Sequence, residues 1–294
     1  MISVGLNMLN SYTNQNIVDG GTRYYNPMYN VSRNCFPTEG PYLPDGSYRP
    51  GLQNDYYNVV RERDLNETSA KLFRSMNTGF IEFRPLEFLT FRSTNSFDWI
   101  TNDETRYGSP LSRSGEAENG FVYLTNRKRI TATTSNILTF DKSFYELHNV
   151  NIIGGFEAGE QRATLYGVGG EGLLNETIRD IGATAIPTDA WGYDEGSSIL
   201  SFLSRVNYDF KNKYYGSVSF RRDGSSQLGI DERWANFWSV SGAWRLSSES
   251  FMEGLSFLDD LKIRASYGTN GTLPSGRYEH LALYSYDDTY DGEV

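Results

Sequence analysis

A two-residue alternation of apolar and polar side chains constrains this chain more than any other feature, and it is cleanest between Trp234 and Leu246. There Trp238, Val240, Gly242, Trp244 and Leu246 alternate with Ser239, Ser241, Ala243 and Arg245. Successive side chains of an extended chain point to opposite faces, whereas a helix returns to one face about every 3.6 residues. The segment therefore reads as a strand with both tryptophans on an apolar side and a second side fit for water. Ile199 to Phe210 repeats the rule, with Leu200, Phe202, Val206, Tyr208 and Phe210 opposed to Ser201, Arg205, Asn207 and Asp209. After Lys211-Asn212-Lys213, Tyr214, Val218 and Phe220 oppose Tyr215, Ser217, Ser219 and Arg221, so the two segments read as a hairpin.

Leu261 to Tyr267 alternates as well, and Ile2 to Tyr12, Leu72 to Arg84, Leu86 to Trp99, Arg129 to Phe140 and Leu147 to Glu157 do so less cleanly. The sum is roughly nine strands. Their ends carry Trp99, Tyr208, Tyr214, Trp234 and Tyr267. Amphipathic rings collect at such positions on a membrane interface, although a soluble barrel or sandwich places them there too. The connections alternate in length: long over 13–71, 103–126 and 163–196, short at Pro85, 141–146 and Lys211. That sorting fits a transmembrane barrel with short turns on one side and long loops on the other. The segment 247–260, Ser-Ser-Glu-Ser-Phe-Met-Glu at its start, reads as a helical turn on the short-turn side.

Composition narrows the classes. Aromatics make up 15% of the 294 residues, with 21 Tyr, 17 Phe and 5 Trp, which favours strands over packed helices. The net charge of −10, without a Lys/Arg-rich run, argues against nucleic acid as a partner. The single Cys35 excludes an internal disulfide and a cysteine-based metal cluster. No run of apolar residues is long enough for a membrane helix, and Met1 to Asn7 does not resemble a signal peptide. Hydropathy averages nearly erase barrel strands, so the alternation must decide between a cytosolic protein and an exported one lacking its signal.

From Phe202 onward the residues resemble the SusC/RagA family of TonB-linked outer-membrane proteins. The likeness runs through Arg205-Val206-Asn207-Tyr208-Asp209-Phe210-Lys211-Asn212-Lys213-Tyr214, Ser219-Phe220-Arg221-Arg222-Asp223-Gly224-Ser225-Ser226 and Trp234-Ala235-Asn236-Phe237-Trp238-Ser239-Val240. It continues in Ala243-Trp244-Arg245-Leu246 and in Leu258 to Gly271. Leu89-Thr90-Phe91-Arg92-Ser93 and Gly154-Gly155-Phe156-Glu157 are compatible with it. The resemblance implies an all-β fold: an antiparallel transmembrane portion of a 22-stranded barrel, with long extracellular loops and short periplasmic turns. It also implies the outer membrane of a Gram-negative, Bacteroidota-like cell, with TonB, membrane lipid and a SusD-like surface lipoprotein as partners and oligosaccharides or peptides as cargo. Residues 1–294 are then expected to be a partial barrel domain, with the N-terminal plug, the TonB-contacting box and the C-terminal strands absent. Such a piece is not expected to transport on its own.

No catalytic centre stands out, and no cofactor or metal is expected. Gly167-Val168-Gly169-Gly170-Glu171-Gly172 fits the dinucleotide-binding string, but Glu171 repels phosphate and no βαβ unit follows, so it reads as a flexible outer loop. Asp223-Gly224-Ser225-Ser226 reads as a turn at a strand end. His148 and His280 lack metal-ligand spacing. Asp259-Asp260 and Asp287-Asp288 are adjacent pairs, whose carboxylates in a strand would point to opposite faces and not act together on one bond. What remains is binding. The long outer segments carry Tyr24, Tyr25, Tyr29, Tyr42, Tyr48, Tyr56, Tyr57, Trp191 and Tyr193, flat rings suited to stacking on sugars or packing on a partner. Tyr42, Tyr48, Tyr56, Tyr57, Trp191 and Tyr193 are the candidate substrate- or partner-binding residues, with ordinary loop packing as the other reading. A soluble carbohydrate-binding β-protein would use the same rings, but it needs a second sheet to cover its apolar strand faces. A secreted β-rich hydrolase needs a clustered acid and nucleophile, and nothing singles out such a pair.

Overall fold

The computed structural model describes residues 1–16, 38, 40–49, 58–252 and 258–283. They form one nine-stranded antiparallel sheet in which every strand pairs with its neighbours in sequence. The strands are β1 (Ile2–Asn16), β2 (Glu67–Leu86), β3 (Leu89–Gly108), β4 (Phe121–Phe144), β5 (His148–Leu173), β6 (Thr184–Phe210), β7 (Tyr214–Ser225), β8 (Trp234–Arg245) and β9 (Lys262–Gly268). One α-helix among the described residues, α1 (Val59–Leu65), precedes β2. The 247–260 segment forms two short 3-10 turns, Leu246–Ser248 and Ser250–Met252, in keeping with its helical reading.

The strands lie where the alternation places them, but they run further at one end. β5 and β6 are 26 and 27 residues long and stay paired from His148–Phe210 up to Leu173–Thr184. The expected long loops over 103–126 and 163–196 shrink accordingly to 109–120 and 174–183. The reason is visible in the side chains. Above Ala158 one face of β5 carries Glu160, Arg162 and Thr164 and the other Gln161 and Ala163, so both faces are polar or small and the period-two contrast disappears. The backbone ladder continues without it, because pairing satisfies the main-chain groups whatever the side chains are. Trp99 is likewise not at a strand end, since β3 continues nine residues beyond it to Gly108.

At the opposite end the turns are short. Phe144 pairs with His148 and Phe210 with Tyr214, each across three residues. Tyr145, Glu146, Lys211 and Asn212 all have φ between 53° and 56°. Two successive left-handed residues give the turn a twist that matches the flanking strands.

A single sheet has no interior, and among the described residues the buried apolar ones are confined to the long-loop end. Tyr107, Val122, Leu173 and Ala183 make one small core where the extensions of β3, β4 and β5 meet the 174–183 connection. The Tyr107 hydroxyl donates to the Glu176 carbonyl at 2.9 Å and ties that connection to the core.

Candidate functional site

Register fixes which residues share a face. Val206, Val218 and Val240 are paired in one row across β6, β7 and β8, and all three are 43–53% exposed. Trp238, Phe220 and Phe202 belong to the same surface, as do Ile2, Val4, Leu6 and Met8 of β1, exposed by 61–71%. No helix among the described residues is long and apolar enough to cross a membrane, which does not bear on strands. A continuous apolar face left open in this way marks a surface that meets lipid or another protein.

Two belts of rings bound this face. On the short-turn side His148, Phe210, Tyr214 and Trp244 follow one another with centroids 4.9, 6.3 and 6.2 Å apart. On the other side lie Phe73 against Trp99 and Phe202 against Trp234, at 5.9 and 6.2 Å, with Trp238 against Tyr267, at 5.7 Å, between the belts. The belts are separated by the span from Trp244, paired with Tyr214, to Trp234, paired with Gly224. Ten residues at ~3.3 Å each, tilted by ~40°, give roughly 25 Å, the height of the lipid-facing band of an outer-membrane barrel. The Glu249 carboxylate anchors the short-turn belt, accepting from the Tyr214 hydroxyl at 2.7 Å, the Trp244 indole at 3.0 Å and Lys213 Nζ at 3.3 Å. The Tyr214 bond first, then the Trp244 bond, hold Glu249 below the usual carboxylate range.

The other face is polar and cross-linked. Asp141 accepts from Asn151, Asn151 from Asn207, and Asn207 from Ser217, at 3.0, 3.1 and 2.7 Å, a row that crosses β4 to β7 in direct register. Four residues further along β7, Arg221 donates to Asp223 at 2.7 Å, to Glu157 at 3.0 Å and to the buried Ser201 hydroxyl at 2.9 Å. Next to the Asp141 row an open groove of about 610 Å³ is lined by Asn207, Ser217, Ser241, Lys262 and Arg264. Such a face suits water or a polar occupant, and the alternation read from the sequence is the alternation between these two surfaces.

Of the six candidate binding residues, Tyr56 and Tyr57 lie outside the described residues, as do Tyr24, Tyr25, Tyr29, Cys35 and Asp287-Asp288. Tyr42 and Tyr48 are brought together, with ring centroids 5.5 Å apart. The Tyr48 hydroxyl donates to Asp64 of α1 at 2.9 Å. That bond raises the Tyr48 pKa, while Arg63, ahead of Tyr48, lowers that of Asp64. Trp191 and Tyr193 are not loop residues: both lie on β6, on the same face as Ser201, and are 46% and 54% exposed. No ring contact joins this pair to Tyr42 and Tyr48 among the described residues.

Sequence reasoning missed the residues that hold the outer end together. The buried Asn58 caps α1 through Val60 N and Arg61 N, and donates to the carbonyls of Pro41 at 2.7 Å and Arg49 at 3.0 Å. Glu62 accepts from Arg113 N at 2.7 Å and from the Ser114 hydroxyl at 2.7 Å, docking the 109–120 connection on the helix. The Asn58 cap before a short helical run is a readable signal; the partners, some 9 to 52 residues away, are not.

The remaining motifs have structural places. Gly167 to Glu171 belong to β5, paired with β4 and β6, and so do not form the flexible loop expected. Asp223 to Ser225 close β7. His148 Nδ1 lies 2.7 Å from the Tyr208 hydroxyl and His280 Nδ1 3.1 Å from the Gln227 carbonyl. Asp260 accepts from Ser247 at 2.9 Å and lies 3.2 Å from Arg245, an ion pair of the short-turn side.

A one-layer antiparallel wall with an apolar face, two aromatic belts and a polar reverse face defines a section of a transmembrane β-barrel. The relatives agree. The chain is 28% identical over 297 residues to TonB-dependent receptor P39 of Formosa agariphila, a match covering 97% of this chain and 27% of that protein. It is 32% identical over 99 residues to TonB-dependent receptor SusC of Bacteroides thetaiotaomicron, covering 33% of this chain and 10% of SusC. In structure it is similar to the RagAB peptide transporter, with a TM-score of 0.77 at 20% identity, over 98% of this chain and 33% of that one. The closed-closed state of the RagAB peptide importer gives a TM-score of 0.78 at 21% identity with the same coverage. No family model matches. Over nearly its whole length the chain is thus similar in sequence to TonB-dependent receptors and in fold to RagAB, and it spans about a quarter of the length of the curated receptor P39.

Proposed function

We propose that the chain supplies nine contiguous strands to the barrel wall of a TonB-dependent importer in the outer membrane of a Gram-negative, Bacteroidota-like cell. The importer takes up oligosaccharides or peptides with a SusD-like surface lipoprotein and is energised by TonB through a region outside this chain. In this reading the partial barrel over 1–294 is non-enzymatic, its apolar face meets lipid and its polar face meets the lumen. The observation that carries it is the pair of ring belts, set the height of a lipid-facing band apart on an apolar face that the described residues leave uncovered. The soluble carbohydrate-binding reading needs a second sheet over that face, and among the described residues there is one sheet.

The test is to express the chain within its parent reading frame in a Gram-negative host and to separate the membranes by density. The expected result is recovery with the outer membrane, release by detergent and retention in alkaline carbonate. Release into buffer without detergent would overturn the proposal.

A further inference from the structure

Just beyond the ring belt of the long-loop side, the polar face carries positive charge that the sheet does not neutralise. Arg127 and Arg129 lie two residues apart on β4, on the face of Thr131 and Ser135. Those two bond across to Gln161 and Glu157 of β5 at 3.4 and 3.3 Å, which places all four on the polar side. In register the arginines meet Asn102 and Ile100 of β3 and Leu165 and Ala163 of β5, all uncharged. Ile100 follows Trp99 of the belt, so the pair stands at the edge of the apolar band, on its reverse side. Both arginines are exposed, and among the described residues no hydrogen bond, ion pair or ring contact engages either side chain.

Other guanidiniums of this face have carboxylates at hand. Arg74 holds Asp98 at 3.0 and 2.8 Å, Arg221 holds Asp223 and Glu157, and Arg264 shares the open groove with Asp141 and Asp209. Arg205 lacks such a partner but stands singly, between Ile153 and Ser219. The carboxylates diagonal to Arg127 and Arg129 are Asp98, already taken by Arg74, and Glu104, which accepts from Asn102 at 2.6 Å. Arg106, two residues beyond Glu104 on the same face, adds a further guanidinium. Glu104 is thus set against three cations, on a chain whose net charge is −10.

Spacing indicates what would fill this deficit. Arg127 and Arg129 are about 6.6 Å apart along the strand, at ~3.3 Å per residue. Side chains two apart on an extended peptide repeat at the same interval, and a planar guanidinium takes a carboxylate through two parallel N–H bonds. A peptide lying along β4 with acidic residues at alternate positions sets one carboxylate on each arginine, while its intervening side chains point away from the sheet. We propose that Arg127 and Arg129 form a binding site for acidic peptides in extended form, with carboxylates two residues apart. This rests on the importer reading and deepens it by giving acidic peptides as a class of cargo.

The test uses the full importer in outer-membrane vesicles and equilibrium binding of labelled hexapeptides. One peptide carries two glutamates at alternate positions, a second carries them side by side, and a third has glutamine in their place; a hexauronate is the comparison. The alternating peptide is expected to bind about tenfold tighter than the glutamine one, an advantage that high salt reduces. It is also expected to bind tighter than the peptide with adjacent glutamates. Arg127→Gln combined with Arg129→Gln is expected to remove the advantage with the protein still inserted. Arg127→Lys with Arg129→Lys is expected to keep part of it, because the charge stays and the fork is lost. Four outcomes would overturn the proposal: no preference over the glutamine peptide, equal binding of the adjacent-glutamate peptide, full preference in the double glutamine variant, or arginine-dependent binding of the hexauronate without the peptide. Membrane fractionation of the same samples separates the two readings. Inserted protein without the peptide preference sinks the arginine site alone, whereas arginine-dependent peptide binding by a buffer-soluble protein sinks the importer alone.

Discussion

At the scale of single residues, fixed polar bonds hold the two ends of the sheet. Asn58 makes four such bonds from a fully buried side chain, so its loss uncaps α1 and strands the carbonyls of Pro41 and Arg49. Asn58→Ala is expected to destabilise the outer end by about 1–3 kcal/mol, read as faster amide exchange in 40–49 and 59–66 with the barrel strands unchanged. Uniform exchange across the sheet would show the effect to be global and the reading wrong. At the other end Glu249 gives a pH signature. Its folded pKa lies below the ordinary carboxylate value of 4.5, so its contribution is complete above that value and is lost as pH falls through the depressed one. Acid titration of the Trp244 environment is therefore expected to show a transition on the low side of the ordinary carboxylate range. Glu249→Gln should abolish that transition, and its persistence in the variant would assign it elsewhere.

At the scale of strands, the two faces have opposite tolerances. Val240 sits in the middle row of the apolar face and Ser241, its neighbour, on the groove side. Val240→Lys is expected to cost about 2–4 kcal/mol of folding in lipid, and Ser241→Lys to leave the folded fraction unchanged, both measured by heat-modifiable mobility after refolding into vesicles. Equal effects would mean that the apolar face does not meet hydrocarbon. The short turns offer a milder test: Lys211 and Asn212 are both left-handed without being glycine, and Asn212→Gly is expected to stabilise by up to about 1 kcal/mol. This scale also explains what was legible in the sequence. The central parts of β6, β7 and β8 stand out because an apolar face on one side and a polar face on the other force strict alternation, as in Trp238–Ser239–Val240–Ser241. In β6 before Ile199 both faces are largely polar or small, so Trp191 and Tyr193 look like loop residues although the ladder to β5 runs straight through them. Their shared face follows from parity once the strand is known, but the pairing of Trp191 with Gly167 requires the register of β5 against β6, which no local pattern supplies.

At the scale of the whole molecule, the sheet is open. Among the described residues β1 and β9 each have one strand neighbour, leaving two rows of backbone groups that hydrocarbon cannot satisfy. The chain expressed by itself is expected to assemble through these edges into polydisperse species in detergent. A closed nine-stranded monomer, seen by mass and by strand count, would contradict the barrel-arc reading. Against this the height of the wall is generous. β6 continues for 15 residues, Thr184 to Ser198, above its last pair with β7. At ~3.3 Å per residue and a tilt of ~40° that is a rise of roughly 35–40 Å over the lipid. On the importer reading, a macromolecule drifting in from the medium would touch the tip of this mast well before it sensed the bilayer, at a distance where membrane charge is already screened.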